Sequence, residues 1–110
     1  MSTAAKELVK KGAEWLDDTK PGWEREVDLC TLDMGDGARC ILGQVFVNEA
    51  DEHCIYNGYD YASPMLPSYA EFYGFESHYD EESDEEIGYT DLKEGWVSLL
   101  NRRGVTCDES

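Results

Sequence analysis

Residues 79–89 read Tyr-Asp-Glu-Glu-Ser-Asp-Glu-Glu-Ile-Gly-Tyr, six carboxylates in seven consecutive positions between two tyrosines. Side chains of this type can hold a hard cation, share a proton as a catalytic pair, or meet a basic surface. The first use needs oxygen ligands at alternating positions, and Asp80, Glu82, Asp84 and Asp91 occupy positions 1, 3, 5 and 12 of a calcium-loop pattern. The pattern breaks at position 6, where Glu85 stands in place of the turn glycine, and at position 12, where aspartate is too short to supply two oxygens. A solvated acidic segment without metal ligands is the expectation, with weak Ca²⁺ or Mg²⁺ association by a cation-binding domain as an alternative.

Catalysis is not expected. His53 and Cys54 are sequence neighbours, which turns their side chains apart, and His78 lies far along the chain, so neither a zinc set nor a Cys-His dyad is written there. Any two carboxylates can be imagined as a glycosidase-type pair, yet a chain of 110 residues offers little wall for a substrate cleft. Cys40, whose one basic neighbour is Arg39, reads as a packed thiol. These residues predict a non-enzyme with no catalytic residue, no cofactor and no metal.

The third use is favoured by where the charge sits. Of a formal net charge of −16, residues 1–39 contribute nine acidic and six basic side chains, and residues 93–110 three of each. Residues 40–92 carry thirteen acidic side chains, no Lys or Arg, and ten of the thirteen aromatic rings. An acidic segment rich in aromatics can pack one side and charge the other, unlike the aromatic-poor tails that stay disordered. Direct contact with nucleic acid or anionic membrane is disfavoured, because phosphate recognition needs clustered Lys and Arg. The expected partner is a basic protein surface, including that of a nucleic-acid-binding protein. Carboxylates three or four apart on a helix stand about 5–6 Å from one another, comparable to the roughly 3.4 Å rise per nucleotide in a strand, so a folded acidic surface can imitate DNA. The candidate contact residues are Tyr79, Asp80, Glu81, Glu82, Asp84, Glu85, Glu86 and Tyr89, with rigid phenol rings flanking the charge. A purely solubilising role for the charge is the competing reading.

The elements that must position this segment differ in clarity. Ala5, Leu8, Val9, Gly12 and Leu16 form one apolar stripe, predicting a helix capped by Ser2 or Thr3 and ended near Asp18 by Thr19-Lys20-Pro21-Gly22. A brief second helix follows from Pro21. Residues 27–47 allow either a glycine-turned β-hairpin or a helix capped by Asp36 with Cys40, Ile41 and Val45 inward, the helix being slightly favoured. Asn48 to Gly58 reads as a loop, and Pro67 to Phe75 as a short helix stopped at Gly74. Asp91 and Glu94 have capping-box spacing, followed by Leu92, Trp96, Leu99 and Leu100, with Arg102, Arg103 and Gly104 closing the last helix. The expectation is a mainly α single domain over 1–110, a small helical bundle with amphipathic first and last helices and the acidic aromatic segment 48–92 within it.

Four cysteines, Cys30, Cys40, Cys54 and Cys107, make no C-x-x-C pair. No apolar stretch resembles a signal peptide or reaches membrane length. A cytoplasmic protein with free thiols is therefore expected.

Leu32-Asp33, Cys40-Ile41-Leu42-Gly43-Gln44, Gly74-Phe75, Tyr89 to Trp96 and Arg102-Arg103 together resemble a pattern in small acidic proteins of actinobacteria and their bacteriophages. The resemblance covers most of the chain and departs at Val47 to Asn57. It implies a mostly helical domain and a phage origin, and thus the host cytosol as compartment, but brings no catalytic residue with it. Combined with the charge pattern, it suggests a DNA mimic or an inhibitor of a host factor. A virion structural or assembly component is the alternative.

Overall fold

The structure, a computed structural model, describes residues 3–81 and 84–107. Helix α1, Thr3–Thr19, buries Ala5, Val9, Gly12 and Leu16 of the expected stripe, leaves Leu8 half-buried, and adds Ala13. Ser2, a capping candidate, lies outside the described residues. Past Lys20 the chain turns through Gly22, at φ 84°, into a 3₁₀ turn at Trp23–Glu26, the brief second helix. At the other end of the sequence the long helix Tyr89–Arg102 buries Leu92, Gly95, Trp96 and Leu100. It starts two residues before Asp91, because Asp91 serves as the acceptor and not the cap: the Gly88 backbone N–H donates to its Oδ2 at 3.3 Å.

These two helices pack directly on each other, with small residues at the contact. A Cβ on Gly12 would fall 2.1 Å from the Tyr73 carbonyl oxygen and 3.0 Å from the Trp96 ring, and one on Gly95 would fall 3.0 Å from Val9 Cγ2. Around that contact Trp96 stacks on Phe75 at 5.3 Å and meets the edge of Trp23 at 5.9 Å, while Trp15 approaches Phe75 at 6.2 Å. The buried indole N–H of Trp96 donates to the Gly74 carbonyl at 2.7 Å, so burial of the ring leaves no orphan donor. Trp15 and Trp96 thus share one core.

Residues 27–40 form neither the hairpin nor a helix capped by Asp36. Asp28, Asp33 and Asp36 each accept, through Oδ1, the backbone N–H two residues on (Cys30 at 2.9 Å, Gly35 at 3.0 Å, Ala38 at 2.8 Å), and these successive Asx turns replace ladder bonds. The helix arrives later, as α2, Ile41–Val45, capped by Cys40, whose Sγ accepts from the Gly43 N–H at 3.3 Å. The Gln44 side-chain amide then ties the turns together by donating to the carbonyls of Arg39 at 2.8 Å and Asp28 at 3.2 Å. The Cys-x-Leu-Gly-Gln motif is therefore scaffolding.

The expected loop from Asn48 is instead α3, Val47–Glu52, followed by α4, Gly58–Ala62, whose Asn57 cap accepts from the Asp60 N–H at 2.8 Å. A 3₁₀ turn at Ser63–Met65 carries Pro64, and another at Ala70–Tyr73 ends at Gly74 in the left-handed region, where the short helix was expected to stop. Strands β1, His78–Asp80, and β2, Glu85–Ile87, pair antiparallel immediately before the last helix, which becomes α5. The fold is mainly α, with its hairpin at 78–87 and not at 27–47.

The free-thiol expectation is corrected. Cys30 and Cys107 are joined in a disulfide with Cα atoms 5.0 Å apart, leaving Cys40 buried and Cys54 exposed as thiols. The bridge spans 77 residues. Closing so long a loop removes freedom from the unfolded chain worth about 4 kcal/mol in the chain-entropy account. Among the described residues, no helix is long and apolar enough to cross a membrane.

Candidate functional site

Of the acidic run, Asp80 ends one arm of the 78–87 hairpin, and Glu85 and Glu86 lie on the other. The register sets His78 opposite Ile87, Tyr79 opposite Glu86 and Asp80 opposite Glu85. Strand alternation sends alternate residues to opposite faces, so Ile87, fully buried, anchors one face in the core while Tyr79 and Glu86 share the other. His78 extends the anchor, its Nδ1 lying 3.2 Å from Glu71 Oε2 and its ring meeting the edge of Phe72 at 5.4 Å.

Among the candidate contact residues, Glu81, Asp84 and Glu86 are exposed and Glu85 is half-buried. Glu82 lies outside the described residues, and Asp80 is placed by its register alone. The carboxylates consequently do not form one flat face: alternation puts half-buried Glu85 on the side of buried Ile87 and exposed Glu86 on the other, so the hairpin is an acidic blade with one edge seated on the core. Asp84 sits in the left-handed region at φ 56°, which aspartate tolerates better than most residues. It accepts a hydrogen bond from the Tyr79 hydroxyl, a bond that joins the tip to the arm and raises the Tyr79 phenol pKa. Tyr79 remains 52% exposed.

Tyr89, the other bracketing ring, works differently. Its hydroxyl donates to Glu76 Oε1 at 3.1 Å, and the Tyr59 hydroxyl donates to Oε2 of the same carboxylate. Glu76 therefore gathers two phenols from α4 and α5 at the root of the hairpin. Burial, then the bond to Glu76, pushes the Tyr59 phenol well above the ordinary tyrosine range, and Tyr89 is raised chiefly by burial.

Beside this node lies a cleft of about 360 Å³ walled by Tyr59, Tyr69, Pro64 and Ala70, with Glu71 and Glu76 on it. Tyr69 is 74% exposed there. Phenol faces with two carboxylates suit the ammonium or guanidinium end of a basic side chain. Sequence reasoning missed Glu71, Glu76, Tyr59 and Tyr69 as a group, since they come from separate turns with no common spacing.

The remaining candidates stay apart. Among the described residues no three His, Cys, Asp or Glu side chains gather in a way that would hold a metal ion. His53 stacks on Tyr61 at 5.5 Å, and Cys54 is exposed on the following turn at φ 57°. Cys40 is 1% exposed, and burial pushes its thiol up to about 11, away from nucleophilic chemistry. Comparison with protein-family models, curated proteins and solved structures gives no match, so the reading of this surface rests on its geometry and charge.

Proposed function

We propose that this chain is a non-enzymatic binding protein that presents its acidic hairpin to a basic surface of a protein partner, occupying the place of nucleic acid there. The observation that carries the reading is a hairpin with exposed Glu81, Asp84 and Glu86 at its turn and outer face, in a segment, residues 40–92, that holds no Lys or Arg. Successive residues of an extended strand advance about 3.2–3.4 Å but alternate between its flanks, so carboxylates on one flank stand about 6.5 Å apart, about twice the roughly 3.4 Å rise per nucleotide. A blade of this kind suits a groove built for a phosphate backbone, and the Tyr69 cleft beside it suits one basic side chain from the groove's rim. The resemblance to phage proteins supports a host regulator or defence protein as the partner, met in the host cytoplasm. In such a reducing compartment the Cys30–Cys107 bridge would open. Cys107 follows the far end of α5, about 20 Å along the helix from the hairpin, so the blade does not depend on it.

The test is recovery of partners from an actinobacterial lysate with the native chain and with a variant carrying Asp80→Asn, Glu81→Gln, Glu82→Gln, Asp84→Asn, Glu85→Gln and Glu86→Gln. A basic protein held by the native chain should be lost by the variant and displaced by duplex DNA. Its retention should also weaken as the screening length falls from about 10 Å at 0.1 M salt to about 3 Å at 1 M. Identical recoveries with both chains would leave the charge with a solubilising role only.

A further inference from the structure

A second cleft, of about 360 Å³, runs along the seam between α1 and α5 and has the opposite character. Its floor is Val9, Gly95 and Leu99, and its rim is Lys6, Lys10, Arg102 and Arg103. The chain has nine Lys and Arg against twenty-five Asp and Glu, yet four of the nine ring this cleft and, among the described residues, no carboxylate lines it. Arg103 is committed elsewhere, to Asp17 at 2.8 Å and Glu24 at 3.2 Å. Among the described residues Arg102 reaches only the Ser98 carbonyl and hydroxyl, each at 3.4 Å, and Lys6 and Lys10 make no ion pair.

Lys6 and Lys10 are one turn apart with like charge, a repulsion that Glu7 and Glu14, three and four residues from Lys10, offset in part along the helix. An anion seated in the cleft would meet both ammonium groups at once. The hairpin does not cancel the local positive potential: α5, fourteen residues long, puts Arg102 about 20 Å from Tyr89, beyond the screening length of about 8 Å at physiological salt.

We propose that this seam binds a small organic anion with an apolar body, of the medium-chain carboxylate class. The head group meets Lys6, Lys10 and Arg102, and the alkyl chain lies on Val9 and Leu99 between the methylene stems of the lysines. The site is independent of the hairpin and of any protein partner.

The test is titration of the full chain, followed by amide NMR, with decanoate, with decanol and with inorganic sulfate. Decanoate is expected to move the signals of Lys6, Lys10, Gly95 and Leu99 in a saturating way. Decanol and sulfate, each lacking half of the ligand, are expected to bind at least about tenfold more weakly. Lys6→Gln with Lys10→Gln should weaken decanoate by about tenfold or more, whereas Arg25→Gln with Lys93→Gln, an equal change in charge away from the cleft, should leave it unchanged. Equal weakening by both pairs, sulfate binding as tight as decanoate, or no localised shifts up to about 2 mM decanoate would overturn the proposal.

Discussion

Glu76 is a single carboxylate that accepts from two phenols, Tyr59 and Tyr89, and so ties α4 to the start of α5 beneath the hairpin. Tyr59 keeps its proton more firmly in the folded chain than its unfolded value of about 10 would allow. A phenol raised in this way contributes stability that is complete below pH ~10 and is lost as pH rises through its folded value. Alkaline titration followed by tyrosinate absorbance should therefore show one phenol ionising last in the native chain, after the less strongly raised Tyr79 and Tyr89. That late step should disappear in Tyr59→Phe and move part of the way down in Glu76→Gln, since burial, the larger cause, persists there. A late step unchanged in Tyr59→Phe would contradict this assignment. Arg103 plays a comparable tying role at the other end of the molecule, bonding Asp17 and Glu24 while its guanidinium lies 5.8 Å from the Trp23 ring centroid. The bond from Arg103 is the main reason the Asp17 carboxyl sits below its usual range. Neither node was visible in the sequence, because Glu76 and Arg103 find their partners across separations that carry no periodic signal. Tyr89, an expected contact ring, also forms half of the Glu76 node.

Elements with a repeating apolar stripe were legible and the others were not. In α1 and α5 the stripe recurs over several turns, and the glycines within it mark where the helices touch. The two glycines differ in what they can tolerate. At Gly12 a Cβ would lie 2.1 Å from a backbone oxygen, whereas at Gly95 the nearest atom is a side-chain methyl at 3.0 Å that can yield by a few tenths of an ångström. Overpacking costs about 1–3 kcal/mol, and replacing glycine by alanine within a helix returns about 1 kcal/mol. Gly12→Ala is therefore expected to lose about 2 kcal/mol in urea unfolding and Gly95→Ala to stay within about 1 kcal/mol of the native chain; equal losses would show that the helices are not seated as described. Residues 27–62 hid their structure because three Asx turns and helices of five or six residues are shorter than the window in which a period can be read. The hairpin was hidden for another reason. Aspartate and glutamate are depleted in strands, and these strands form because Ile87 is buried at their base while Asp84 accepts the left-handed turn. The disulfide leaves no trace in a 77-residue spacing.

At the scale of the molecule the charge is bipolar along α5, with the acidic blade before its first turn and the basic seam along its second half. The total of −16 was plain from composition, as was its concentration in residues 40–92. What composition could not convey is that Asp80, Glu85 and Glu86 fall on the two strands of a hairpin, with Glu85 and Glu86 on opposite faces. Register sets Asp80 opposite Glu85, and like charges directly opposite destabilise a strand pair by up to about 1 kcal/mol. Net charge of one sign adds self-repulsion to that local cost. If the blade is a binding surface, its neutralisation should separate stability from binding. The six-amide variant is expected to melt at a higher temperature than the native chain at low salt, by several degrees for each kcal/mol regained, while failing to hold a basic partner. The gap should shrink as salt rises, because screening relieves the same repulsion in the native chain. A variant that melts lower at every salt concentration would mean that these carboxylates support the fold, and that their crowding has a structural origin.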